Sequence, residues 1–168
     1  MKFLKTIKST LPAAVLACMA LSFAPTSAFA STAVTTTFGV SATVQSTCII
    51  SASAMGFGTY ISTAASATTS TVTVTCTNTT PYTVGLDAGL ATGATVTTRQ
   101  MKNGAALLNY ALYSDSGRTT NWGNTTGSWV SGTGNGSAQA LTVYGQVLAG
   151  QYVTPGSFAD TITATITY

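Results

Sequence analysis

The sequence has 168 residues, among them six Lys plus Arg, three Asp, no Glu and no His. That is length for one ordinary domain, and with no imidazole and hardly a carboxylate to move a proton, most protein catalysis is excluded. Disorder is excluded as well, because 45% of the residues are apolar and 35 are Thr, whose branched side chain suits a half-buried pleated surface.

The chain opens on an address. Lys2, Lys5 and Lys8 lead into the apolar run 11–21, and Ala28-Phe29-Ala30 supplies a small-residue cleavage site, so residues 1–30 read as a cleaved secretory signal. The run falls short of the roughly 20 residues that span a bilayer, so no stable membrane insertion is expected. Cys18 sits in that run behind a bulky Leu16, where a lipoprotein signal needs small residues, and is read as a passenger of the leader.

Without the leader, Arg99, Lys102 and Arg118 balance Asp87, Asp115 and Asp160, and the net side-chain charge is zero. Electrostatic attraction to nucleic acid or anionic lipid therefore has no source. An uncharged exported chain is also poorly protected against self-association. Cys48 and Cys76 remain, and in an oxidising compartment a disulfide is the default; two buried free thiols are the alternative. Two cysteines without histidine make a poor metal site, so neither metal nor cofactor is expected.

Period-two patterning then runs through residues 31–168. Val34, Thr36, Phe38, Val40, Ala42 and Val44 alternate with Thr, Gly and Ser. Residues 71–76 repeat the pattern around Val72 and Val74, and 82–86 restart it after Pro81. Leu108, Tyr110 and Leu112 form another such face, as do Leu141, Val143, Gly145 and Val147, and finally Ile162, Ala164, Ile166 and Tyr168. Turn-rich stretches separate them at 78–81, 87–93, 114–117, 131–137 and 155–156. Six or seven half-buried strands predict an all-β sandwich of two antiparallel sheets, with a small barrel as the alternative.

The two ends carry the functional signal. The alternating run 34–44 covers eleven residues, whereas a mean strand has about five or six. Either it is a long, bent first strand, or its first part reaches into a groove of a neighbouring molecule by strand addition. At the other end the last predicted strand runs to Tyr168 with no tail to cover its edge, and open edges acquire partners.

Short segments settle the choice by resemblance. They are Thr47-Cys48-Ile49-Ile50, Met55-Gly56-Phe57-Gly58-Thr59-Tyr60 and Val72-Thr73-Val74-Thr75-Cys76, then Pro81 through Gly89 and Arg99-Gln100-Met101-Lys102. Leu108-Asn109-Tyr110-Ala111-Leu112-Tyr113, Trp122-Gly123, Leu141-Thr142-Val143-Tyr144-Gly145 and the closing run from Pro155 to Ile162 complete the series. In this order, over residues 40–168, they resemble the spore coat protein U domain, the fold of subunits in archaic chaperone–usher pili.

The resemblance implies an incomplete immunoglobulin-like β-sandwich completed by donor-strand complementation. Residues 31–43 would then be the donor arm, with Val34, Thr36, Phe38, Val40 and Ala42 facing the groove of the next copy, and 44–168 the pilin domain. Cys48 and Cys76 would form the disulfide, while Ile162, Ala164, Ile166 and Tyr168 would border the acceptor groove and meet a periplasmic chaperone. An outer-membrane usher would exchange chaperone for subunit, giving a head-to-tail homopolymer on the cell surface with a tip adhesin at its end. A single domain with an arm looks like a shaft subunit. A spore or cell coat protein remains a rival, as does a self-contained secreted module binding glycans through Trp122, Trp129 and Tyr144.

Other residues read as structural. Phe57, between Gly56 and Gly58, is expected to plug the core, and Asp115 to cap its own turn. Asp160 shares the parity of Ile162 and Ile166, so alternation aims it inward; a bulge near Ala159 or a bond to a loop N–H would reconcile this. No G-x-S-x-G elbow occurs, and no His is present to activate a serine.

Overall fold

A computed structural model describes residues 30–168. The expected leader, up to Phe29 and including Cys18, lies outside the described residues. The chain divides after Ser41 into an N-terminal segment and a compact body, Ala42–Tyr168. In the first, residues 30–41 are exposed throughout and carry no strand.

The body is built of β1 (Cys48–Ala52), β2 (Ser66–Cys76), β3 (Pro81–Leu86), β4 (Arg99–Asn103), β5 (Ala106–Tyr113), β6 (Val130–Thr133), β7 (Gln139–Val147) and β8 (Ala164–Thr167). Five strands form one sheet in the order β1-β2-β7-β5-β4, and three form the other as β6-β3-β8. Every ladder is antiparallel. The longest joins β2 to β7, from Ser66 opposite Val147 to Val74 opposite Gln139.

Alternation explains the core between the sheets. Val72, Val74 and Cys76 of β2, Leu108, Tyr110 and Leu112 of β5, and Val143 and Val147 of β7 are buried, while the intervening Thr residues of β2 stay partly wet. From the other sheet, Tyr82, Val84 and Leu86 of β3 face them. Trp122 closes the core at 1% exposure, its indole N–H donating to the Val84 carbonyl at 2.8 Å.

Several strands differ from the sequence reading. The alternating run 34–44 makes no ladder, and the first strand begins only at Cys48. β4 escapes the pattern because it is short and its inward row opens on a fully buried Arg99 beside Met101. β6 falls in a stretch read as turn because Gly132 and Gly134 interrupt it. A Cβ at Gly132 would collide with the Tyr82 ring, so the glycine is required by close packing across the ladder. β8 is shorter than the predicted 162–168; ahead of it, Ala159 exchanges two backbone hydrogen bonds with Lys102 of β4, at 2.8 and 3.1 Å.

Candidate functional site

The inward rows of β3 and β8 differ in one respect. Val84 and Leu86 of β3 are 0% and 2% exposed, yet Ile162, Ala164 and Ile166 are only half-buried. β3 is flanked by β6 and β8, whereas β8 has a ladder on β3 alone among the described residues. β1 brings Cα atoms within 8 Å of β8 without a ladder between them. The β8 edge is therefore open, and its apolar side chains are left partly in water.

Beside this edge the core opens into a cavity of about 420 Å³, floored by Val72, Leu86, Leu112 and Val143 and bordered by Ala52 and Ala164. A second cavity of about 790 Å³ adjoins it, sharing Met55, Phe57, Met101 and Phe158 and continuing along residues 151–157. Met55 and Phe57 reach their places because β7 carries Gly145, where a Cβ would run into Met55. The Ser66 hydroxyl fixes the same loop by donating to the Phe57 carbonyl at 2.9 Å. The Phe57 ring meets Tyr110 edge-on, with centroids 5.9 Å apart.

One side of the smaller cavity is polar. The Tyr110 hydroxyl donates to an Asp160 carboxylate oxygen at 2.7 Å, and the other oxygen accepts from the N–H groups of Leu90 at 2.9 Å and Thr161 at 2.8 Å. Asp160 does point inward, as alternation required, and a bond to a loop N–H reconciles it. Burial raises the Tyr110 pKa far above the ordinary phenol value, and the bond to Asp160 adds to it. Behind this pair, Arg99 donates Nε to the Asp87 carbonyl at 2.8 Å and Nη1 to Val96 at 2.6 Å. Its Nη2 serves Leu86 at 3.0 Å and Trp122 at 2.7 Å. Burial lowers the Arg99 pKa, opposed by Tyr110, Asp87 and Asp160.

The arm residues form no site of their own. Val34, Phe38 and Val40 are 94%, 85% and 85% exposed, and Thr36 and Ala42 are exposed as well. Tyr168, named with the groove border, is also exposed. Cys48 and Cys76 form a disulfide and face each other across β1 and β2. Asp115 caps its turn as expected. It accepts from the N–H groups of Thr120 and Thr119 and the Thr119 hydroxyl, and these donors, Thr120 first, hold its carboxyl below the usual range.

Sequence reasoning named the β8 row but gave no role to Arg99, Met55 or Phe158. The available signal for Arg99 was a cation in a nearly uncharged chain, with Lys102 three residues on and no acidic residue within ten positions to pair it at the surface. Chemically the arrangement offers an elongated apolar cleft with a hydrogen-bonding strand edge beside it. Such a cleft suits an extended peptide. Among the described residues no cluster of three or more His, Cys, Asp or Glu is placed to hold a metal ion. No helix among them is long and apolar enough to cross a membrane.

An all-β sandwich of two antiparallel sheets, with the inward row of the β8 edge strand left half-exposed, is an immunoglobulin-like fold of the kind built by chaperone–usher pilins. The chain belongs to the Spore Coat Protein U domain family, which matches residues 34–165. It is 41% identical over 86 residues to Protein U of Myxococcus xanthus, covering 50% of this chain and 48% of that protein. The body is similar to a chain of the CsuC–CsuE chaperone–tip adhesion subunit pre-assembly complex, from the archaic chaperone-usher Csu pili of Acinetobacter baumannii. The TM-score is 0.56 at 26% identity, over 75% of this chain and 40% of that one. The chain thus spans less than half the length of each of these relatives.

Proposed function

We propose that this protein is a structural subunit of an archaic chaperone–usher pilus, forming its shaft by lending residues 31–43 to the groove of the next copy. The observation that carries this is the half-buried row Ile162, Ala164, Ile166 beside an open apolar cavity, in a chain that also holds an exposed apolar-alternating segment. Val34, Thr36, Phe38, Val40 and Ala42 recur every second residue, as a strand needs in order to present one face to a cleft. Backbone pairing along β8 supplies affinity, and the inserted side chains supply selectivity.

The Csu complex, a chaperone bound to a tip adhesion subunit before assembly, supports a chaperone partner for this chain. In this reading a periplasmic chaperone covers the β8 edge, an outer-membrane usher replaces it with the next copy, and a tip adhesin sits at the distal end. The mature chain is then exported to the periplasm and displayed as a surface fimbrium. Its role is structural and not catalytic. The likeness to Protein U and the family's description favour a second reading, a coat around the cell, built by the same strand exchange. Fluorescent labelling of the intact cell separates filaments from a shell. The glycan-binding reading loses Trp122 to the core, although Trp129 keeps 38% of its surface exposed.

The deciding experiment compares residues 31–168 with the same chain extended beyond Tyr168 by a linker and a second copy of residues 31–43. The first should associate or aggregate, and the second should be a heat-stable monomer. A chain lacking residues 31–42 that stays monomeric, and melts where the full mature chain does, overturns strand donation.

A further inference from the structure

The groove is uneven along its length, and the arm is uneven in the same way. On the β8 side the inward row reads Ile162, Ala164, Ile166, so its middle position is small. Across the opening the border is again small, with Ala52, Ser53 and Ala54. These short side chains leave the cavity of about 420 Å³ above Val72, Leu86, Leu112 and Val143. For comparison, an apolar cavity of about 150 Å³ accepts one benzene ring. Three aromatic side chains, Phe57, Tyr110 and Phe158, also line it. On the arm, Phe38 is the sole aromatic residue of 31–43, and Val34, Thr36, Val40 and Ala42 are all smaller.

We propose that Phe38 of the incoming copy seats in this cavity beside Ala164, and that the Phe38–Ala164 pairing fixes the register of the donated strand. The proposal rests on strand donation and adds the residue pair that sets its position. The adjoining cavity of about 790 Å³ is the less suitable seat. Its wall carries Ser62, Gln151, Thr154 and Ser157, against which a phenyl ring would leave polar groups without water. A slip by one residue would turn Phe38 outward and present Thr37 or Gly39 to the cavity, so the ring is a strong specifier of register. A slip by two would set Phe38 against Ile162 or Ile166, whose larger side chains leave a ring less room than Ala164 does. Aromatic edge contacts with Tyr110 and Phe57 add selectivity for a ring over an aliphatic side chain.

The test places p-benzoylphenylalanine at position 38 of the mature chain, co-assembles nitrogen-15-labelled and unlabelled copies, irradiates them and maps the heavy–light crosslinks. Crosslinks to residues 52–54 and 162–166 are the expected result. Heavy–light crosslinks confined to residues 151–157 overturn the register and leave strand donation standing. Absence of heavy–light crosslinks anywhere in the groove overturns both. A size exchange provides an independent measurement. Phe38→Ala and Ala164→Leu should each slow assembly on the order of tenfold or more, since each spoils the fit of a buried ring. Combined in one chain they should recover most of the loss. A double variant no faster than either single one, with its sandwich intact by circular dichroism, overturns the pairing.

Discussion

The Tyr110 hydroxyl and the Asp160 carboxylate meet at 2.7 Å on the wall of the groove, joining the middle of β5 to the segment that leads into β8. Asp160 also holds the N–H of Leu90, so one carboxylate ties the 87–93 loop, β5 and the approach to β8 together. Gly89 is required at this junction, because a Cβ there would collide with the Asp160 carboxylate. Under the proposed strand donation, a groove that waits open needs its walls fixed independently of the occupant. This polar clamp does that on the β8 side.

The clamp has a consequence at alkaline pH. Burial, then the Asp160 bond, raise the Tyr110 pKa above its ordinary value of 10.0. The stabilising contribution is complete below the unfolded pKa and is lost as pH rises from there toward the folded one, because only the unfolded chain sheds the proton. Above pH ~10 stability should fall through this group by up to about 1.4 kcal/mol per pH unit. Urea midpoints measured from pH 9 to 11.5 should therefore decline less steeply in Tyr110→Phe than in the parent. Equal slopes would show that Tyr110 ionises freely in the folded state.

Arg99 should be among the least replaceable residues. Its guanidinium serves four backbone carbonyls from a fully buried position, and two of them, on Leu86 and Trp122, are buried with it and have no water to turn to. Arg99→Met keeps the length and removes all four donors, so it should destabilise the domain by on the order of 3 kcal/mol or more. Arg99→Lys keeps the charge but lacks the planar fork, and should recover only part of the loss. Denaturant unfolding of both variants checks the order: parent, then Lys, then Met.

What could be read from the sequence follows from what alternation encodes. Val72 and Val74, or Leu108, Tyr110 and Leu112, announce strands because one face is buried and apolar. The reading stopped at short edge elements, where an unusual residue shares the inward row with one apolar neighbour, as Arg99 does with Met101 in β4 and Gly132 with Val130 in β6. The inward row Ile162, Ala164 and Ile166 was legible from the same period. The cavity residues Met55 and Phe158 were not, because both come from loops that carry no period; Met55 also packs where Gly145 of a distant strand has no Cβ. The segment 34–44 shows the limit most plainly. It has the pattern of a strand and no ladder, since alternation records which face can be buried and not whether its own chain buries it.

Gly134 should tolerate no side chain. A Cβ there would meet the Thr77 carbonyl and the Cys76 Cβ, parts of the backbone and disulfide frame that cannot swing aside. Gly134 also donates to the Thr80 carbonyl at 2.7 Å and accepts from the Thr79 N–H at 2.8 Å. Gly134→Ala should therefore cost about 1–3 kcal/mol by overpacking, with a melting temperature lowered to match. Gly136→Ala, two residues on, meets no atom within 4 Å but has a φ of 76°. It should cost about 1 kcal/mol from backbone conformation alone. Comparable losses in the two variants would remove the steric argument.

The disulfide should matter more before the groove is filled than after. Cys48 and Cys76 oppose each other at a pair that makes no backbone bond, since the neighbouring Thr47 and Thr77 carry it, with the Thr77 N–H donating to Thr47 at 3.0 Å. The bond spans 28 residues of sequence, which in the chain-entropy estimate stabilises by roughly 3–4 kcal/mol. It also holds β1, the strand that approaches the open edge at β8, onto the rest of its sheet. In the unfilled chain, reduction should free β1 and lower the melting temperature substantially. With a second copy of residues 31–43 fused beyond Tyr168, the added strand should retain β1 through its own packing, so reduction should shift melting less. Melting curves of both chains with and without reductant check this. An equal shift in both would mean that β1 is held by β2 alone and that the groove's filling does not reach it.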